Sequence, residues 1–257
     1  MSDKPIVLLG ADNLSTRIVF HALSEDFGAI HVILERPGSR VQMLLRRRRR
    51  LGALKVLGQA AFAAVVVPYL NLLARARIDE IKKVHHLDDS PIGESVAHVD
   101  TVNSDECRSI LEAYAPAVVV VNGTRIISAA TIDAVPAPFL NMHAGITPLY
   151  RGVHGGYWAL VDGRRELVGT TVHLVDTGID TGGVIAQPTF EISSRDSFVT
   201  YPYLHLAAGL PCLREAIRQA INGELRCISN PRGLASQLRY HPTAWGYLLG
   251  RLARGVR

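Results

Sequence analysis

Cysteine is scarce, and its spacing carries no disulfide or metal signal. Three cysteines occur in 257 residues, Cys107, Cys212 and Cys227, and no two of them form a Cys-x-x-Cys pair. An odd number of widely separated cysteines argues against a disulfide framework and against a zinc site. We therefore expect a protein of the reducing cytoplasm that holds no metal.

The long apolar run of a secretory signal is also lacking. The N-terminal stretch has four consecutive apolar residues, IVLL, before Gly10. This run is too short for the apolar region of a signal peptide. We expect the protein to be made and kept in the cytosol.

The charge balance gives little reason to expect a nucleic-acid surface. Lysine and arginine number 28 and aspartate and glutamate 23, which gives a formal net charge of +5. Five consecutive arginines at positions 46–50 equal that whole excess. Because the remainder is close to neutral, we expect no nucleic-acid partner.

Apolar runs alternate with helical patterns, which is typical of an α/β protein. The opening segment predicts a strand over IVLLGADN, a helix over LSTRIVFHALSED and a strand over GAIHVILE, and this order implies a parallel sheet. Further strands are predicted for PAVVVVNG, FLNMH, LVGTTVHLVD and VIAQPTFEI, and a closing helix is predicted with an interruption around Gly209 and Pro211. We predict a Rossmann-like fold with a mostly parallel sheet flanked by helices. Residues 1–229 would form one domain with a helical insert at about 40–78, and residues 230–257 a short C-terminal extension.

The insert is basic and then apolar. Residues 56–74 contain no charged side chain and approach the length of a membrane span. Gln59, Pro68 and Asn71 weaken that interpretation, and the segment interrupts a domain whose strands must stay together. We expect helices that pack over the sheet or form a dimer contact, with a homodimer as the assembly. Peripheral contact of residues 46–74 with an anionic inner leaflet remains an alternative.

Two polar side chains end the strand FLNMH. Residues two apart in a strand face the same side, so Asn141 and His143 project together from the sheet edge where α/β proteins bind ligands. Asp180 lies in the Gly-rich segment HLVDTGIDTGGVI and can reach the same edge. An amide, an imidazolium and a carboxylate form a set suited to acyl transfer, in which the first two stabilise an oxyanion. Because no serine or cysteine is placed beside them, the attacking group must come from the substrate.

The segments FLNMHAGITPLYRGVHGGYWAL and GTTVHLVDTGIDTGGVI resemble the core of the formyltransferases that use 10-formyltetrahydrofolate. This family includes glycinamide ribonucleotide, methionyl-tRNA and amino-sugar enzymes. The resemblance is specific from about 118 to 187 and implies that Asn141, His143 and Asp180 are the catalytic residues. It makes 10-formyltetrahydrofolate the co-substrate and residues 1–229 the catalytic domain.

The resemblance also implies a mechanism and one difference. A neutral primary amine attacks the formyl carbon, Asn141 and protonated His143 hold the oxyanion, and Asp180 supports the imidazolium and the transfer of the proton to N10. The family commonly has Ser-Leu-Leu-Pro where this chain has GITP at 145–148, so Gly145 replaces a serine. His173, on an apolar strand, is expected to be a core or supporting residue.

The resemblance places the pterin among backbone groups of residues 122–128 and 175–180. The predicted folate-binding residues are Asn122, Thr124, Arg125, Ile126, Ile127, Val175, Asp176, Thr177 and Gly178.

Comparison within the family reduces the number of candidate amines that could accept the formyl group. Glycinamide ribonucleotide enzymes have a glycine- and serine-rich turn for the substrate phosphate, whereas GADNLS here contains Asp12, which would repel a phosphate unless it only caps the helix. The chain most resembles enzymes of surface-polysaccharide pathways, whose acceptors are nucleotide-linked 4-amino-4,6-dideoxy sugars such as GDP-perosamine or dTDP-linked equivalents. The predicted acceptor-site residues are Gly10, Asp12, Asn13, Tyr150, Arg151, His154, Tyr157 and Trp158.

Other functions within the same fold are less favoured. Methionyl-tRNA formyltransferases carry a further C-terminal barrel that helps to hold the tRNA, whereas a segment of about thirty residues follows Gly223 here. A hydrolase that passes the formyl group to water would bring a regulatory domain. Glycinamide ribonucleotide formyltransferase remains the alternative enzyme, and a folate-binding relative without turnover remains the alternative of another class.

Overall fold

A seven-stranded sheet forms the centre of the protein. The computed structural model describes residues 5–93, 96–228 and 235–257. The sheet strands are β1 (Ile6–Ala11), β2 (Ile30–Glu35), β3 (Val96–Val99), β4 (Val118–Asn122), β5 (Phe139–His143), β7 (Thr171–Leu174) and β8 (Val184–Ala186). A separate short pair is formed by β6 (Arg151–Gly152) and β9 (Leu238–Arg239).

The order across the sheet is β3-β2-β1-β4-β5-β7-β8. The first five strands are parallel, and β7 and β8 are each antiparallel to the preceding strand. Strands β1 and β4 are buried along almost their whole length, as parallel strands covered on both faces must be. The predicted α/β fold with a mostly parallel sheet is confirmed.

Helices cover both faces of the sheet. The helices outside the insert are α1 (Leu14–Phe27), α5 (Asp105–Tyr114), α6 (Ala129–Ile132), α7 (Gly155–Val161), α8 (Tyr201–Ile221) and α9 (Ala244–Arg254). Alternate residues of β1 enter different clusters, because Leu8 packs with α1 and α8 and Leu9 packs with α5. This period of two is what a strand buried on both faces requires.

Helix α8 runs unbroken through Gly209 and Pro211, where the sequence predicted an interruption. Pro211 cannot donate a hydrogen bond to the preceding turn, but the helix buries nine residues against the sheet and the helices around it. Gly209 allows a close approach, because a Cβ atom there would lie 2.4 Å from Sδ of Met142. Helix α8 therefore supports β5, the strand that carries Asn141 and His143.

The insert between β2 and β3 is helical. It consists of α2 (Arg40–Leu51), α3 (Ala53–Ala61) and α4 (Val67–Val84), and a π-helical turn at Phe62–Val66 joins α3 to α4. The helical segment thus extends beyond the predicted 40–78. Phe62 and Leu70 bury one side of it in a cluster with α7 and α9. The extension boundary predicted near residue 230 lies outside the described residues.

Candidate active site

The three polar residues predicted at the sheet edge lie together. Asn141 and His143 stand at the carboxyl end of β5, and Asp180 lies in the loop after β7 with a left-handed φ of 50°. Oδ2 of Asp180 is 3.4 Å from Nδ1 of His143, and Oδ1 is 3.7 Å from Nε2 of His173. His173 in turn contacts Asn141, so four polar side chains form one connected group.

The imidazole of His143 is held by a backbone carbonyl. Nε2 donates a hydrogen bond to the carbonyl oxygen of Tyr150 over 2.7 Å. A ring nitrogen that donates to a carbonyl must carry a proton, so the neutral ring keeps its proton on Nε2. Nδ1 is then the nitrogen that exchanges a proton, and it is the one that faces Asp180.

The resting protonation state of His143 differs from the state expected from the sequence. Burial is the largest influence and lowers the pKa of His143, while the carboxylate of Asp180 and the carbonyl of Tyr150 act in the opposite direction. The net shift is downward, so the imidazole is neutral at pH 7. The protonated His143 predicted above is therefore a state reached during the reaction.

Gly145 makes room for the contact between His143 and Tyr150. A Cβ atom at Gly145 would lie 2.5 Å from the carbonyl oxygen of Tyr150, 2.9 Å from Nε2 of His143 and 3.0 Å from Cα of Gly155. These distances are too short for a side chain unless the loop moves. The glycine that replaces the family's serine thus leaves room for the hydrogen bond that fixes the tautomer of His143.

We expect Gly145→Ser to lower the free energy of unfolding by about 1–3 kcal/mol, because an overpacked side chain forces its neighbours to shift. It should also lower kcat, since the carbonyl of Tyr150 is pushed away from His143. Urea denaturation and the formyl-transfer rate test this. Gly93→Ser is the matched control, because Gly93 has open space around its Cα. Equal stability of the two variants would contradict the expectation.

Asp180 is held as a carboxylate. Burial raises its pKa, but the nearby imidazoles of His173 and His143 and the backbone N–H of Gly152, which donates to Oδ2 over 2.8 Å, outweigh burial. The net pKa lies below the usual value for aspartate. A charged carboxylate thus stands beside the neutral imidazole of His143, where it stabilises any proton that arrives on Nδ1.

His173 orients the amide of Asn141. Nδ1 of His173 donates to the carbonyl of Leu174 over 2.7 Å, so Nε2 of the neutral ring is the acceptor for the amide Nδ2 of Asn141 at 3.1 Å. An amide nitrogen carries two hydrogens. One hydrogen is bound by His173, and the other is available to an oxygen in the cavity.

These residues line a cavity of about 490 Å³ at the sheet edge. Both segments predicted to hold the pterin also line it. Of the predicted folate-binding residues, the cavity is lined by Asn122, Thr124, Arg125, Ile126, Ile127, Val175, Asp176 and Gly178. Thr177 is exposed and is not part of the lining.

Some lining side chains already have protein partners. Asn122 donates to Ser15 and Thr16 at the start of α1, and Arg125 pairs with the buried Glu35 at 3.2 Å. These side chains shape the walls of the cavity. Ile126 is 54% exposed and offers an apolar surface at the cavity.

The predicted acceptor residues are more scattered. His154 lines the cavity, whereas Gly10, Asp12, Asn13, Tyr150, Arg151, Tyr157 and Trp158 do not. Tyr150 and Tyr157 are buried in the cluster beneath α7, and Nε1 of Trp158 donates to the carbonyl of Tyr240. Asn13, not Asp12, caps α1 by accepting from the N–H of Thr16 over 3.0 Å. Asp12 pairs with Arg17 at 2.8 Å.

A contact that the sequence analysis missed links His154 to the insert. Nη2 of Arg47 lies 3.4 Å from Nε2 of His241, and Nδ1 of His241 lies 2.9 Å from Nε2 of His154. Burial, with His241 nearby, lowers the pKa of His154 to about 3, and burial also lowers the pKa of His241. Because Arg47 can only donate, both neutral rings have fixed tautomers and accept through Nε2. The pairing of β6 with β9 brings His241 here, and no local sequence signal reports that pairing.

The middle of the chain is similar to a known protein family. A family model described as formyl transferase matches residues 92–204, which include all three predicted catalytic residues. Residues 92–204 are thus similar to formyl transferase domains. The resemblance inferred from the sequence is thereby confirmed.

Two similar curated proteins are methionyl-tRNA formyltransferases. The one from Anaeromyxobacter dehalogenans strain 2CP-1 is 34% identical over 134 residues, which are 52% of this chain and 43% of the relative. The one from Koribacter versatilis is 38% identical over 96 residues, which are 37% of this chain and 30% of the relative. The matches thus span less than half the length of these relatives.

Solved structures share the fold at low sequence identity. Glycinamide ribonucleotide transformylase 1 from Symbiobacterium toebii matches with a TM-score of 0.58 at 20% identity, covering 90% of this chain and 93% of its own. An N-formyltransferase from Helicobacter canadensis, in complex with folinic acid and dTDP-3-aminofucose, matches with a TM-score of 0.54 at 15% identity, covering 92% and 70%. The family match does not extend to β1, α1 and β2, to the insert helices α2 to α4, or to α9.

Proposed function

We propose that this protein transfers the formyl group of 10-formyltetrahydrofolate to the primary amine of a nucleotide-linked 4-amino-4,6-dideoxy sugar, such as GDP-perosamine or a dTDP-linked analogue. The reaction would serve cytoplasmic steps of surface-polysaccharide (O-antigen) synthesis. The observation that carries the proposal is the meeting of Asn141, His143 and Asp180 in one cavity of a domain similar to formyl transferases. No serine or cysteine among the described residues is hydrogen-bonded to His143, which fits an amine nucleophile supplied by the substrate.

The cavity walls suit the folate co-substrate. The apolar side chains of Ile126, Ile127 and Val175 line one region, and the polar residues of β5 line another. A pterin ring needs an apolar bed with polar groups at its edge. In this arrangement the formyl group on N10 would lie toward Asn141 and His143.

The chain's own groups can perform each step of the transfer. As the acceptor nitrogen bonds to the formyl carbon, the free N–H of Asn141 donates to the oxygen on which negative charge develops. The attacking nitrogen gives its proton to Nδ1 of His143, and the carboxylate of Asp180 stabilises the imidazolium. The bond from carbon to N10 then breaks while N10 takes that proton, which restores the neutral imidazole and releases tetrahydrofolate.

The choice of acceptor is supported by two observations. The Helicobacter canadensis structure shares the fold and contains dTDP-3-aminofucose, which supports the class of nucleotide-linked amino sugars and leaves the position of the amine to the assay. At the turn after β1, the carboxylate of Asp12 is exposed where a glycinamide ribonucleotide phosphate would lie, and its partner Arg17 is bound to it at 2.8 Å. A nucleotide sugar that enters from the side of His154 avoids that carboxylate.

A panel assay tests the proposed function. Purified protein is incubated with 10-formyltetrahydrofolate and, separately, GDP-perosamine, dTDP- and UDP-linked 4-amino sugars, glycinamide ribonucleotide and initiator methionyl-tRNA, while tetrahydrofolate release and product mass are followed. We expect one formyl group on a 4-amino sugar and no transfer by His143→Ala. Transfer only to glycinamide ribonucleotide or to methionyl-tRNA would contradict the acceptor. Folate binding without transfer to any amine would indicate a non-catalytic relative.

A further inference from the structure

A stripe of exposed apolar side chains runs along the insert. Helices α3 and α4 with the π-helical turn between them form one continuous helix, Ala53–Val84. Its most exposed apolar residues recur at spacings of three, four or eight positions in the sequence. This spacing keeps them on one side of a helix. Up to residue 78 they are Leu54, Leu57, Val65, Tyr69, Leu72 and Leu73, each between 61% and 74% exposed, and Val84 ends the helix beyond them. Monomeric soluble proteins rarely expose so long an apolar stripe.

The opposite side of the same helix is fixed to the domain. Nε2 of Gln59 donates to the carbonyl of His241 over 2.8 Å, and Arg77 pairs with the buried carboxylate of Asp196 at 2.8 Å. By length and composition this helix could cross a membrane, and 22% of its most apolar stretch of 18 residues is buried. However, β2 before the insert and β3 after it are neighbours in one sheet. Both ends of the insert therefore stay with the domain, and the helix lies along its surface.

Helix α9 continues the exposed apolar surface. Trp245 packs so closely on α3 that a Cβ atom at Gly58 would lie 2.3 Å from its ring. On the outer side of α9, Leu248, Leu249 and Leu252 are exposed. We call the exposed sides of α2, of residues 53–78 and of α9 the insert face, which leaves out the last turns of the helix with Asp79, Glu80 and Val84.

Charge is segregated onto the segments that form the insert face. Residues 36–78 and 225–257 hold 16 of the chain's 28 basic residues and none of its 23 acidic ones, so 12 basic residues meet 23 acidic ones elsewhere. Arg46, Arg48, Arg49 and Arg50 are exposed and form no ion pair with a described acidic side chain. The insert face is therefore both apolar and strongly cationic, on a chain that is otherwise acidic.

We propose that the insert face binds the surface of an anionic phospholipid bilayer, with the helix Ala53–Val84 lying parallel to the membrane plane. The apolar stripe would enter the boundary between headgroups and acyl chains, and the arginines of α2 would contact lipid phosphates. A cluster of four to eight basic residues beside an apolar segment suits such a surface. A second copy of the chain fits less well, because an isologous contact would bring two arginine runs together. The proposal does not depend on the identity of the acceptor amine.

Vesicle co-sedimentation tests the proposal. The full chain is mixed with vesicles of phosphatidylglycerol and phosphatidylcholine or of phosphatidylcholine alone, at about 0.1 M and about 0.5 M salt. We expect binding to the anionic vesicles at least about tenfold stronger than to the neutral ones, and weaker at high salt. Replacement of the four exposed arginines Arg46, Arg48, Arg49 and Arg50 by glutamine should remove that preference, with Arg47 kept because it contacts His241 beside the cavity. Leu72→Asp with Leu73→Asp should weaken binding to anionic vesicles at least about tenfold.

The controls separate membrane contact from misfolding and from other partners. Val84→Asp alters an exposed apolar residue of the same helix beyond the stripe and should bind vesicles like the unmodified protein. All these variants change exposed side chains and should keep the formyl-transfer rate measured without lipid. Equal binding to neutral and anionic vesicles would overturn the proposal. So would a dimer in solution that the paired leucine substitutions dissociate, or membrane-bound protein that resists both high salt and alkaline extraction.

Discussion

Asn141→Ala is expected to lower kcat about 100- to 1000-fold, the usual effect of removing one oxyanion donor. The physical reason is the position of the amide, of which one N–H is bound by His173 at 3.1 Å and the other is free for the formyl oxygen. Negative charge on that oxygen grows only as the amine attacks. The loss should therefore appear in kcat, with KM for either substrate changed little.

The rate measurement needs two accompanying observations. Thermal unfolding of Asn141→Ala should match that of the unmodified protein, because the amide is only partly buried at the sheet edge. His173→Ala should show a smaller loss of kcat, since it removes the group that orients the amide and leaves the donor itself. A loss in Asn141→Ala that falls entirely on KM would assign the amide to ground-state binding and contradict its role as an oxyanion donor.

The fold and the centre of the site are readable from the sequence because their signals are local. Apolar runs of strand length define the sheet, and the polar residues that end such a run must lie at its edge. Asn141 and His143 occupy one strand end, so their proximity follows from the period of two along β5. The Gly-rich segment around Asp180 then leaves few places for that carboxylate except above the same edge.

The parts that could not be predicted depend on contacts between distant segments. The tautomer of His143 is set by the carbonyl of Tyr150, and that contact exists because Gly145 has no side chain. The link from Arg47 through His241 to His154 requires the pairing of β6 with β9 and the docking of the insert. Neither composition nor periodicity contains this information.

Residue type alone also misassigned side chains. Tyr150 and Tyr157 are aromatic residues near a ligand cavity, which suggests stacking on a base or a sugar, but both are buried in the apolar cluster beneath α7. Asp12 suggests a helix cap, but its neighbour Asn13 takes that position. In both cases the local backbone geometry decides which role a side chain takes, and the residue type alone does not specify that geometry.

Asp180→Asn is expected to lower kcat about 100- to 10 000-fold, the range for a lost general acid–base partner. In the unmodified protein, burial lowers the pKa of His143 and the carboxylate of Asp180 partly offsets that effect. Asparagine keeps the shape of the side chain but removes the charge. The imidazolium formed when Nδ1 takes the amine proton would then be buried without a counterion, so proton transfer becomes unfavourable.

Asp180→Asn should also change the titration of His143, and this change can be measured without substrate. Nitrogen NMR of the histidine rings, with His143→Ala to assign the signal, should give His143 a pKa below the usual value and a proton on Nε2 in the neutral ring. In Asp180→Asn that pKa should fall further, because only the raising influence of the carboxylate has been lost. If the pKa of His143 instead lies above the usual value and falls to it in Asp180→Asn, the carboxylate outweighs burial. The resting enzyme would then hold an imidazolium, and His143 would act first as an electrostatic partner of the oxyanion and only afterwards as an acid toward N10.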